Sequence, residues 1–360
     1  MLRDAFPQAK IGWAIDAELV STVQGHPALD FVHACHRRQW SKSFKNPATW
    51  NEGFAGISKF VDEIRAVDYD VAVDAQGLFK TALVPFLARI KRRIGYGHGR
   101  ELSSLFYNEK YLSFEEYFDP SVFHLEHMAL LCKAIGCSEV RHLVEAPPVP
   151  AAMNDEIASL LSEGFSSPNP IIAMAPGTQW GSKAWPEEYW VALLDRVLGQ
   201  TKFNVAMIGS KGDAPLVSRI ISAFPGTTTG GRVLDISGKT SVPQMYALFS
   251  QVQAHVGSDS APLHIAGAVR TPHIIGIYGP TGYRRTPPIG SPDIQLFSTE
   301  GTLSCQPCHK KTCPLGTTEC MTLIKPENVF QALVYALNET KEPALAGSYL
   351  HAPTHLKGQR

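Results

Sequence analysis

Asp259-Ser260-Ala261-Pro262-Leu263-His264 is the stretch from which the fold can be read. It follows a short strand-like run, Ala254 to Val256, and passes into the helix-like Ile265-Ala266-Gly267-Ala268-Val269. A strand that ends in an acid and a hydroxyl and turns straight into a helix gathers unpaired backbone N–H groups and the positive end of a helix dipole. Such a point binds an anion, most often a phosphate. A second strand–turn–helix unit lies upstream: Ile171 to Ala175, the turn Pro176-Gly177-Thr178-Gln179, then Lys183-Ala184-Trp185-Pro186-Glu187-Glu188 at a helix start. Two phosphate-ready turns, one with a lysine, predict a diphosphate held between loops of one parallel sheet. The reading is a nucleotide-sugar site.

The alternation extends outward from these turns. Strands are predicted at 171–175, 203–208, 233–236, 254–257 and 273–278, with helices at 187–198, 213–223, 242–250 and 262–269. Strands and helices of this length mean βαβ units and a parallel, doubly wound sheet. The same alternation fills the first part of the chain: a strand over Lys10 to Ile15, an amphipathic helix over Phe54 to Ala66, a buried strand Tyr69 to Val73, a helix Leu78 to Ile90 and a short strand Arg93 to Tyr96. The expected class is α/β with two Rossmann-like domains facing a cleft: 1–147, a proline-marked linker over 148–170, and 171–338 with a Cys-rich loop at 305–320. The polar, aperiodic stretch 339–360 reads as a disordered tail. A Rossmann-like domain opens with a buried strand and a Gly-rich turn. Met1-Leu2-Arg3-Asp4-Ala5-Phe6-Pro7 reads instead as the last turn of a helix, so the opening strand and turn are expected to be missing.

Composition sets limits. Lys+Arg and Asp+Glu both count 33, so no global field draws the chain to nucleic acid, and contact with a charged surface must come from a local patch. No apolar run approaches the roughly 18 residues of a spanning helix, and a signal-peptide core is absent from the N-terminal sequence. A cytoplasmic monomer is expected. Of seven cysteines, Cys305, Cys308, Cys313 and Cys320 cluster. Four thiolates suit tetrahedral zinc, with reduced thiols or a redox-labile disulfide as the alternatives.

Several short pieces, in this order and spacing, resemble the lipopolysaccharide heptosyltransferases of glycosyltransferase family 9. They are Asp74-Ala75-Gln76-Gly77-Leu78-Phe79-Lys80-Thr81, Ser104-Leu105-Phe106-Tyr107-Asn108, Lys183-Ala184-Trp185-Pro186, Asp259-Ser260 with His264, and Tyr278-Gly279-Pro280-Thr281. The first two look closer to the first heptosyltransferase than to the second. The resemblance implies the GT-B fold and inverting transfer of heptose from ADP-heptose to the Kdo–lipid A region of the lipopolysaccharide inner core, at the inner face of the inner membrane. It implies that Asp259 contacts the donor sugar, that Asp213 lies near the nucleoside, and that Gly238-Lys239-Thr240-Ser241 lines the donor side. It also places the catalytic base in a Gly-Asp turn upstream of Met1, so this chain is expected to bind donor and transfer poorly.

The residues supply the chemistry such a transfer needs. No Asp-x-Asp element suits metal–diphosphate binding, whereas Lys183, the Thr178 hydroxyl and the amides of Ser260, Ala261 and Leu263 offer positive charge and donors without a required cofactor. Pro262 removes one of those donors. Asp259 and Asp213 can each serve instead as helix N-caps, and His264 can reach the ligand or be structural. An anionic acceptor calls for a basic patch. Arg37, Arg38 and Lys42, with Trp40 and Phe44 between and beyond them, provide one, beside Gln76 and Gly77. Asp74 and Asp259 are the fallback bases within the chain. The competing classes are a non-catalytic relative that binds a nucleotide sugar, and another GT-B-like enzyme such as an epimerase.

Overall fold

A computed structural model describes residues 1–97, 100–113, 116, 119, 122–138, 144–224, 230–338 and 349–351. The chain divides into two units, Met1–Arg141 and His142–Arg360.

The first unit contains β1 (Gly12–Asp16), β2 (Phe31–Cys35), α1 (Trp50–Val67), β3 (Val71–Val73), α2 (Phe79–Leu87), β4 (Arg92–Tyr96), β5 (Glu109–Tyr111) and α3 (His124–Ala134). A short helix, Arg37–Ser43, follows β2. All its strand pairs are parallel, but they form two sheets, β1-β2 and β3-β4-β5, where the sequence predicts one. Phe60, Val61 and Ile64 on α1 lie at the spacing of one helical face. They pack with Ala88 and Ile90, while Ile94, Tyr96 and Leu131 form a second small core.

The second unit is larger. It runs α4 (Ala151–Gly164), β6 (Ile171–Ala175), α5 (Glu187–Gln200), β7 (Asn204–Met207), α6 (Ala214–Ser222), β8 (Val233–Asp235), α7 (Val242–Phe249), β9 (Ala254–Ser258), α8 (Ala261–Ala268), β10 (His273–Tyr278), β11 (Asp293–Ser298), α9 (Pro326–Asn338) and β12 (Tyr349–His351). Its sheet has the order β12-β11-β10-β9-β6-β7-β8, parallel except for β12. Strands covered on both faces read as apolar runs, as Ile172-Ala173-Met174 and Val205-Ala206-Met207 do, all fully buried. Trp190, Leu193, Leu194 and Val197 of α5 supply one wall of the core. The chain starts in the middle with β6, builds β7 and β8 to one side, then crosses to β9, β10 and β11 on the other. The order reverses between β6 and β9, and ligands of such sheets bind at that crevice.

Two expectations change. The stretch 148–170 is not merely a linker: it carries α4, which buries Ile157 and Leu161 and bonds α7 through Gln244 Nε2 to Glu156 Oε1 at 2.9 Å. Pro150 is its N-cap residue, so the prolines start a helix rather than mark a bare connection. Of the tail 339–360, only Tyr349–His351 is described, paired antiparallel with β11, and the rest lies outside the described residues.

One buried group stands apart from the apolar core. His255 on β9 is completely enclosed, with Nδ1 3.0 Å from the Ala173 carbonyl oxygen and no partner for Nε2 among the described residues. Burial drives its pKa down to about 3, against a smaller upward pull from that carbonyl.

Candidate active site

β6 and β9 are neighbours, so the loops that leave their C-terminal ends meet. The loop after β6 delivers Lys183. Its backbone is fixed on one side by the turn Gly181–Lys183, where the buried Ser182 is bonded to the chain at 310–311. On the other side Trp185 is buried, donates Nε1–H to the Ile324 carbonyl at 2.9 Å and sits edge-on to Trp190 with ring centroids 5.0 Å apart. Lys183 Nζ lies 4.6 Å from the centre of the Trp180 ring and donates to Asp259 at Oδ2 (2.7 Å) and at the carbonyl oxygen (3.1 Å).

Asp259 comes from the loop after β9 and is 6% exposed. Thr281 Oγ1 donates to Oδ2 at 2.7 Å, and His264 Nε2 lies 3.1 Å from Oδ1. Burial alone pushes the Asp259 pKa up, but the hydrogen bond from His264, the Lys183 charge and the Lys183 hydrogen bond together hold it at about 2. Asp259 is therefore not the N-cap of α8. Ser260 takes that position with extended backbone, and its Oγ is buried without a partner among the described residues. The first amides of a helix have no intrahelical acceptors, and Pro262 lies in the first turn, where its missing N–H costs no helix bond. An orphan hydroxyl, a helix start and an ammonium thus converge beside one buried carboxylate.

The loop after β7 adds the second part of the site. Asp213 stands at the N-cap position of α6 without capping it; its Oδ2 accepts from the N–H and Oγ of Ser210, both at 2.7 Å. The carboxylate lies so close to the turn after β6 that a Cβ on Gly177 would fall 2.2 Å from Asp213 Cγ. Glycine there lets Asp213 reach the Pro-Gly-Thr turn. Thr178 Oγ1 accepts from the Trp180 N–H at 3.4 Å. The turn after β8 joins the same rim through Gly238 N–H to the Gly209 carbonyl at 2.8 Å, and Ser241 forms a capping box with Gln244 at the start of α7. The expected donor-side residues therefore sit on the loops at the C-terminal ends of β6, β7, β8 and β9 or, for Ala261, Leu263 and His264, in the first turn of α8.

Residues 57–319 match glycosyltransferase family 9 (heptosyltransferase). The chain belongs to that family. It is 28% identical over 275 residues to lipooligosaccharide heptosyltransferase 2 of Haemophilus ducreyi, covering 74% of this chain and 76% of that one. It is 24% identical over 343 residues to lipopolysaccharide heptosyltransferase 1 of Pseudomonas aeruginosa, covering 90% and 88%. The structure of E. coli ADP-heptose LPS heptosyltransferase II superposes with a TM-score of 0.70 at 22% identity, over 94% of this chain and 92% of that one. The fold is GT-B, and the chain is a glycosyltransferase.

In the first unit of this family 9 chain, the other expected residues are placed differently from one another. Asp74 is buried and accepts four hydrogen bonds: from the amides of Gln76 (2.9 Å) and Gly77 (3.1 Å), Thr81 Oγ1 (2.7 Å) and the Tyr107 hydroxyl (2.6 Å). It holds the turn from β3 into α2. Gly77 has φ +69° there, and a Cβ would lie 2.8 Å from the Tyr96 ring. Three of these donors belong to its own turn and the fourth, Tyr107, comes from 33 positions on, so the carboxylate serves as a framework group. Arg37 grips Asp16 through both oxygens at 3.1 and 3.2 Å, and Arg38 meets Glu18 at 2.7 Å. Two of the three cations of the expected basic patch are thus paired within their own unit, while Lys42 is exposed.

The zinc expectation is not supported. Among the described residues no group of three or more His, Cys, Asp or Glu side chains is placed to hold a metal. Cys313 accepts from amides of residues 315–318, whose hydrogen bonds lower its pKa, and Cys320 Sγ packs over Gly279. Thr281 was missed as a site residue. Its motif was visible, but its bond to an aspartate 22 positions away has no local signature.

Proposed function

We propose that the chain transfers heptose from ADP-heptose to the Kdo–lipid A region of the lipopolysaccharide inner core, with the donor held at the switch point of the second unit. The observation that carries this is the Lys183–Asp259–Thr281–His264 cluster beside the start of α8. The bond from the anomeric carbon to the diphosphate breaks as the acceptor hydroxyl attacks from the opposite face; the new glycosidic bond forms, ADP leaves, and the hydroxyl proton passes to solvent. Negative charge grows on the leaving diphosphate. Lys183 Nζ, the first amides of α8 and the Ser260 hydroxyl meet it in a site whose donors are already oriented. Asp259 orders Lys183 and faces the sugar, the Thr178 hydroxyl joins Lys183 on the diphosphate, Asp213 takes the nucleoside side, and His264 steadies Asp259. In the first unit Lys42, Gln76 and Gly77 serve the acceptor, together with Arg37 and Arg38, whose exposed ion pairs are weak enough to exchange partners.

Lys183 and a helix terminus supply the positive charge, so donor binding is expected to need no divalent ion. Calorimetric titration of ADP-heptose in excess EDTA tests this, followed by acceptor-dependent ADP release with Kdo–lipid A. Lys183→Ala should weaken donor binding by about 2–4 kcal/mol, the scale of a charge-assisted contact to an anion. Failure of the unaltered chain to bind ADP-heptose, or an unchanged dissociation constant in Lys183→Ala, would overturn this reading.

A further inference from the structure

The segment 306–311 runs along the cluster just described. Ser182, next to Lys183, donates its N–H to the Lys311 carbonyl at 3.1 Å and its hydroxyl to the Lys310 carbonyl at 2.5 Å. From the other side the His309 N–H bonds the Pro280 carbonyl at 2.9 Å, and Gln306 Nε2 bonds the Gly279 carbonyl at 2.6 Å. The loop that carries the cysteines is thereby tied to both Lys183 and the Gly279-Pro280-Thr281 turn.

The two loops joined in this way, 279–292 and 301–318, contain Arg284, Arg285, Lys310 and Lys311 and no aspartate or glutamate. Asp293, Glu300 and Glu319 adjoin the ends of these loops, so the cations are concentrated in their middle. The nearest acid in the cluster, Asp259, already accepts from Lys183, Thr281 and His264. His309, Lys310, Lys311 and Arg284 are exposed, and Arg285 is half-buried. Exposed cations at a site rim concentrate anions there. The His309 imidazole lies within electrostatic reach of the cluster: partial desolvation, then Arg285 and Lys183, lower its pKa, and Asp259 pulls the other way.

We propose that these loops form a cationic collar on the donor site, in which His309, Lys310 and Lys311 bind the diphosphate of the nucleotide sugar beside Lys183. The inference rests on the donor-site reading above and adds residues to it. A neutral imidazole offers one N–H and an imidazolium two. A diphosphate seated beside His309 favours the imidazolium, so binding takes up a proton. Arg285 and Lys183 oppose that uptake, and Asp259 assists it.

The test is calorimetric titration of ADP into the full chain at about pH 6.5, where imidazoles titrate, in two buffers of different ionisation enthalpy and at two salt concentrations. His309→Gln should bind ADP about tenfold more weakly and lose part of the proton uptake. Lys310→Ala/Lys311→Ala should also weaken binding and flatten its salt dependence. It alters two exposed side chains whose backbone carbonyls make the loop contacts, so its fold stands independently of the histidine variant. If affinity, salt slope and proton uptake all match the unaltered chain, the collar is wrong. It is equally wrong if only the acceptor KM rises while ADP affinity is unchanged. No ADP binding by the unaltered chain would instead sink the donor site itself.

Discussion

Asp259 illustrates how a residue's surroundings select its role. A carboxylate held at a pKa of about 2 is a weak proton acceptor near neutral pH, so its geometry suits holding Lys183 and a sugar hydroxyl rather than general-base work. The sign of its pH dependence follows. Its folded pKa lies below the ordinary 3.8, so the stability it contributes is present above that value and lost as pH falls through about 2. Between pH 5 and 8, to about the breadth over which donor binding would be assayed, Asp259 should therefore add no pH dependence. Asp259→Asn leaves Lys183, 14% exposed, without its counter-charge and should destabilise the second unit by about 3–5 kcal/mol in urea unfolding. Thr281→Val removes one hydrogen bond to a charged group and should cost about 1.5–3 kcal/mol. Equal stability of both variants and the parent would mean that the four side chains do not act as one cluster. Lys183, Asp259 and His264 were legible in the sequence because strand-end position and turn chemistry are local signals. Thr281 and the partners of Arg37 and Arg38 were not, because pairing across loops depends on how the chain folds back.

At the scale of elements, the apolar strands and the helices between them were readable because burial on both faces leaves a continuous apolar run. β6 and β10 fall where the sequence places them, at 171–175 and 273–278. β2 and β11 escaped. β11, Asp293-Ile-Gln-Leu-Phe-Ser, buries Gln295 and Ser298, so its polar residues hide a strand that lies inside the sheet. The fit of α8 against the chain before β11 can be tested at Gly267. A Cβ there would sit 2.6 Å from the Ile289 carbonyl oxygen and 2.8 Å from its nitrogen, both backbone atoms that cannot rotate away. Gly267→Ala should cost about 1–3 kcal/mol through overpacking. Gly199, in the last turn of α5, has nothing within 4 Å of the same position. Gly199→Ala should instead stabilise by about 0.4–1 kcal/mol. Thermal or urea unfolding of the two variants should move in opposite directions; movement in the same direction would contradict the packing described for α8.

For the whole molecule, the division into two units was visible as two runs of strand–helix alternation, but the boundary was not. The proline-rich segment that reads as a connection begins α4, whose packing on α7 depends on side chains nearly ninety positions further along. The donor residues all belong to the second unit, so a nucleotide should protect that unit alone. Calorimetry should resolve two unfolding transitions, and ADP at about a hundred times its dissociation constant should stabilise one of them by about 2.7 kcal/mol. A shift of both by the same amount would refute this separation. The buried imidazole of His255 makes the second unit sensitive to acid. The folded chain refuses a proton there until about pH 3, whereas the unfolded chain accepts it near 6.5, so stability present above 6.5 drains away as pH falls between those values. By pH 5 the loss is about 2 kcal/mol, and it falls on the unit built around β9. Mild acidification should therefore weaken the nucleotide-binding half at its centre, at a strand adjoining the very crevice where the donor sits.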